Sequence, residues 1–196
     1  MNDPGTPGNY VSAAALQRQL EMANKFDRVT DAMGRALNLC IYYRDYCHSM
    51  AASLGELHTI YEAMPPGIAK NELQATDNNV QYMLNHAEGE IRTCNFLLDV
   101  NEAAGFAERY KVEPALKRKV AQFPDLIDWM TITASSLKGI QDIAELPAIK
   151  TDAVQRAAYE QWATKANSVA ALLTQEMDRL KGDIEFSVQE KPTLLL

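Results

Sequence analysis

Proline is missing from a long stretch of this chain, and that limits the fold more than any other feature. None occurs between Tyr10 and Met64, glycine appears there only at 34 and 55, and Pro65-Pro66-Gly67 ends the run. The stretch predicts one helix of about 54 residues, or about 80 Å at 1.5 Å rise per residue. A globular helix averages about 11 residues. Periodicity agrees. One register holds Phe26, Met33, Cys40, Cys47, Leu54 and Tyr61; its partner holds Val29, Ala36, Tyr43, Met50, Leu57 and Met64. Every position is apolar or aromatic, at alternating spacings of three and four, which predicts coiled-coil packing. Leu37 and Ile41 widen the stripe and favour at least two neighbouring helices.

Three more helical stretches follow. One runs from Gly67 to about Val112, with Val80, Leu84, Ala87, Ile91, Cys94 and Leu98 inward and a bend at Asn101–Gly105. The next starts near Pro114, a residue suited to a first helical turn. Its stripe is Leu116, Val120, Phe123, Ile127, Met130, Ala134 and Leu137, and Pro124 should kink or restart it. A connection at 145–152 leads to a last helix capped by Thr151 or Asp152. That helix reaches about Val188, with Val154, Ala158, Trp162, Ala166, Val169, Leu173, Leu180 and Ile184 inward. The expectation is therefore an all-α chain: an elongated antiparallel bundle of three to four long, partly kinked helices. Residues 1–9 form a disordered Pro/Gly leader, 10–190 a single domain, and 191–196 a frayed tail.

Composition narrows the chemistry. With 19 basic and 26 acidic residues the net charge is −7, so a nucleic acid partner is not expected. The first ten residues, MNDPGTPGNY, lack the basic and apolar segments of a secretory signal. No apolar run approaches the roughly 20 residues of a membrane span. Cys40, Cys47 and Cys94 lie in apolar helical patterns and read as reduced core thiols, which places the chain in the cytoplasm. They contain no C-x-x-C pair for zinc. Asp45 and His48 share a helical face, but a di-iron bundle needs two Glu-x-x-His motifs and further Glu. His48, His58 and His86 therefore read as boundary residues, with no metal and no cofactor. No G-x-S-x-G, phosphate loop or G-x-G-x-x-G occurs, so no enzyme is expected.

Two surface features remain. Tyr42 and Tyr46, four apart, join Leu37 and Ile41 as a candidate interface stripe. Arg109, Lys111, Lys117, Arg118 and Lys119 form the one basic run, a candidate site for phosphate or anionic lipid.

Three segments carry a resemblance. YRDYCHSMAASLGELHTIYEAM (43–64) looks like the end of a BAR-type first helix. YKVEPALKRKVAQFPDLIDWM (110–130) resembles the middle of the second, and TDAVQRAAYEQWATKANSVAALLTQEMDRLKGDIEF (151–186) the start of the third. The chain thus resembles the BAR superfamily, in its sorting-nexin and arfaptin-like forms, over about residues 10–190. The resemblance implies a non-enzymatic homodimeric scaffold for membrane trafficking, peripheral on anionic membranes. The alternative is an acidic helical-bundle adaptor, or a secretion-associated protein, that binds another protein with no membrane role.

Overall fold

The structure is a computed structural model that describes residues 13–103 and 113–190. It is all-α, with no strand among the described residues. The elements are α1 (Ala13–Ala63), α2 (Ile68–Ala103), α3 (Glu113–Val120), α4 (Phe123–Lys138), a 3₁₀ segment (Gly139–Glu145), α5 (Pro147–Thr151) and α6 (Ala153–Glu190).

Local chemistry accounts for the breaks. Pro65 and Pro66 end α1, and Gly67 allows a close approach: a Cβ there would lie 2.3 Å from the Gln155 side chain. Pro114 falls in the first turn of α3, and Pro124 in that of α4, where a missing N–H costs nothing. Pro124 thus restarts a helix. Asp125 in the first turn of α4 and Lys138 in its last suit the helix dipole. Asp152 caps α6: its Oδ1 accepts from the backbone N–H of Val154 at 2.9 Å and Gln155 at 3.1 Å.

Paired residues show how the helices run. Cys40 meets Cys94 and His58 meets Asp77, so α1 and α2 are antiparallel. Asn79 meets Ser136 and Tyr82 packs on Trp129, so α4 runs antiparallel to α2. Thr131 meets Met177, and the Tyr159 hydroxyl donates to the Ile140 carbonyl, so α6 runs back along α4. Glu56 pairs with Lys165 and Tyr46 with Asp183, which sets α6 antiparallel beside α1 as well. Each long helix therefore has at least two neighbours around one core.

That closure buries the first-helix stripe. Ala36, Cys40, Tyr43, Cys47, Met50, Leu54, Leu57, Tyr61 and Met64 are all buried. Phe26, Val29 and Met33 lie outside the described side chains, as do Leu116, Val120, Phe123 and Ile184. The expected bend at Asn101–Gly105 and the continuation to Val112 fall largely outside the described residues. The described part of α2 ends at Ala103, and α3 packs against α1, with Lys119 reaching Glu90 on α2.

Val154 corrects the sequence reading. Expected inward, it is 62% exposed. Asp152 sets the helix start, and this turns Gln155 inward instead. There the Gln155 amide accepts from the Ala69 N–H at 3.1 Å and donates to the Pro66 carbonyl at 3.4 Å. These two bonds tie the first turn of α6 to the α1–α2 turn.

Candidate functional sites

A cluster of thiols and charged groups lies in the core at the α1–α2–α3 junction. Cys40 and Cys94 face each other with sulfurs 3.6 Å apart, and Cys47 lies one heptad along α1; all three are fully buried. Burial pushes the Cys47 thiol up to about 12. The contact with Cys94 holds the Cys40 thiol below its ordinary value, and the same contact, then burial, raises Cys94. Burial also raises the Tyr43 hydroxyl. Reactive cysteines are accessible thiolates, so these thiols behave as packing groups.

Lys119 enters this cluster. Its ammonium pairs with Glu90 of α2 and lies 5.3 Å from the centre of the Tyr43 ring. Burial holds its pKa below the ordinary lysine value, while thiolates at Cys47 and Cys40 would raise it. His86 is also lowered, first by burial and then by the Lys119 charge, with Asp125 opposing.

The basic run is corrected accordingly. Lys119 is 4% exposed and cannot reach a lipid phosphate. Arg118 points outward. Arg109 and Lys111 lie outside the described residues, and so does the Lys117 side chain. Among the described residues, the run therefore presents a single side chain to solvent.

The interface stripe divides. Tyr42 is half exposed. Tyr46 bonds within the chain, to the Asp183 carboxylate of α6; burial first, then this bond, raises its hydroxyl pKa. Leu37 and Ile41 line a groove of about 470 Å³ between α1 and α2. Leu98 completes its apolar floor, and Gly34, Asn38, Arg44, Asn101 and Glu102 complete its walls.

The histidines also separate. His48 is exposed, and its expected neighbour Asp45 bonds Arg44 instead, at 3.0 and 3.1 Å. His58 is no simple boundary residue: its Nδ1 lies 3.0 and 3.1 Å from the two oxygens of the buried Asp77. Sequence reading missed Asp77, Glu90 and Lys119 as interior groups. Leu73, Asp77, Val80, Met83, Ala87, Glu90, Cys94 and Leu97 form a series at spacings of three and four. Charged members of that series were the available signal.

No helix among the described residues is long and apolar enough to cross a membrane. Compared with protein-family models, curated proteins and solved structures, the chain matches none.

Proposed function

We propose that this chain is a non-enzymatic helical scaffold that associates with a second copy of itself through the α1–α2 groove. The groove is the observation that supports this reading. Its floor is Leu37, Ile41 and Leu98, with half-exposed Tyr42 nearby on α1. Arg44 and Glu102 stand at opposite ends, because α1 and α2 are antiparallel. A two-fold partner laid along the groove sets Arg44 of each copy against the other's Glu102. Isologous interfaces are self-complementary in this way, and the charge pairs fix the register more than they add affinity.

This association is of a weaker kind than the heptad stripe alone suggests. The described part of that stripe is covered by the chain's own α2, α3 and α6, so it calls for no second copy. What remains is a groove with a polar rim, the form of a reversible interface. A BAR-like antiparallel dimer is one architecture compatible with such pairing. The membrane role loses support, since Lys119 is committed to the core.

Equilibrium sedimentation tests the reading. At tens of micromolar the mass should approach twice the 21.8 kDa of one chain. Ile41→Glu should return it to the single-chain value with helix content unchanged. A wild-type mass of one chain throughout that range refutes the proposal. The acidic surface, at net −7, then favours an adaptor for a basic partner protein.

A further inference from the structure

His58 and Glu62 stand one helical turn apart on α1, and Asp77 and Gln81 one turn apart on α2. The two pairs face each other beside the Pro65–Gly67 turn. One donor atom from each of His58, Glu62 and Asp77 lies within 4.8 Å of the others. Gln81 is close as well: its amide nitrogen is 3.0 Å from Asp77 Oδ2 and 3.4 Å from His58 Nδ1. Asp77 is 1% exposed.

The convergence is more than a hydrogen-bond network needs. His58 Nδ1 carries either one proton or one lone pair. It nevertheless faces two carboxylate oxygens and an amide nitrogen, all within 3.4 Å. One proton satisfies one of these contacts. The buried Asp77 carboxylate needs positive charge or several donors; the His58 ring and the Gln81 amide serve it, and Lys70 on α2 adds nothing. Its ammonium goes to the Glu62 and Met64 carbonyls, at 3.0 and 3.5 Å, and lies over the Tyr61 ring.

We propose that His58, Glu62, Asp77 and Gln81 form a binding site for one divalent transition-metal ion, with zinc the preferred occupant. Donors at about 2.1 Å from an ion stand roughly 3.0–3.4 Å apart in octahedral or tetrahedral arrays. The His58, Asp77 and Gln81 atoms already have that separation. Glu62 is exposed and closes the set by turning its side chain inward. The Gln81 amide presents its oxygen after a flip, which leaves its shape unchanged. One imidazole and three oxygen donors suit zinc, cobalt or manganese better than calcium. Two carboxylates neutralise the ion's charge. On binding, the ion takes the Nδ1 lone pair; a neutral ring then carries its proton on Nε2, and an imidazolium releases one proton to solvent. The ion then joins α1 to α2 at the closed end of their hairpin.

Calorimetric titration of the untagged, chelator-treated full chain with Zn²⁺ tests this. One ion should bind per chain. Glu62→Gln, at an exposed position, should keep the helix content and weaken binding at least tenfold, or about 1.4 kcal/mol. His58→Gln should weaken it further. Co²⁺ should give a spectrum of nitrogen and oxygen ligation without a sulfur-to-metal charge-transfer band. No uptake by the wild type overturns the proposal. So does affinity indifferent to both substitutions, or a thiolate band placing the ion on the core cysteines.

Discussion

Lys119 and Glu90 are held together where neither charge has ready access to water, so removing one strands the other. Lys119→Met should cost about 2–4 kcal/mol, somewhat below the loss from breaking a fully buried pair, because Glu90 keeps slight exposure. Adding Glu90→Leu should recover most of that loss in urea titrations. A double variant as unstable as the sum of the single ones would contradict the pairing. Cys47 gives a second residue-scale expectation. Its folded-state pKa is about 12 against 9.0 for an ordinary thiol. A raised value means that the unfolded chain loses the proton first. The stabilising contribution is complete below pH 9.0 and is lost as pH rises toward about 12. The slope reaches about 1.4 kcal/mol per pH unit for one group. Cys94 and Tyr43 act with the same sign, and the lowered Cys40 and Lys119 oppose them. Unfolding free energy should therefore fall through this range, and fall less steeply in Cys47→Ala. Equal slopes would show that Cys47 ionises no differently on folding.

At the scale of the helix, the first stripe was legible because every seam position is apolar. Leu54→Ala should accordingly destabilise by about 2–5 kcal/mol, while exposed His48→Ala should stay within about 0.5 kcal/mol. Comparable thermal melts for both variants would refute the register. The other stripes were read less well, for a physical reason. In α4 the buried residue is Leu126, one place before the expected Ile127, which is only partly buried. The restart at Pro124 resets the helical phase, and a stripe carried through it drifts. In α6 a side-chain cap turned Gln155 inward in place of Val154. Apolar pattern-reading passes over such a position, because glutamine reads as surface until its two backbone partners are known. Asp77, Glu90 and Lys119 escaped for the same reason: each is a polar residue whose partner lies on another helix.

The identity of a helix's neighbours was beyond the sequence pattern. Periodicity shows which face is buried and is silent on what covers it. The BAR resemblance implied a homodimer, whereas α2, α3 and α6 of the same chain cover the described part of the seam. The basic run illustrates the same gap for charge. Five residues close in sequence suggested one electrostatic patch, yet Lys119 belongs to the core. The chain carries net charge −7, and of that run only Arg118 is described as pointing outward. Co-sedimentation with anionic vesicles at low salt should therefore leave the protein in the supernatant. Vesicle binding that fades as salt rises would restore the membrane role.

The side-by-side placement of α1 and α6 bears on the order of assembly. Cys40 and Cys94 are 54 residues apart, but Glu56 and Lys165 are separated by 109 and Tyr46 and Asp183 by 137. Entropy lost on closing a loop grows with its length, and contacts between distant residues slow folding. The α1–α2 and α4–α6 hairpins should form early, with the α1–α6 seam closing last. Tyr46→Phe should then accelerate unfolding and leave the folding rate nearly unchanged. A substitution that slows folding instead would place this seam in the nucleus, making the ends of the chain, rather than its turns, the point from which the bundle grows.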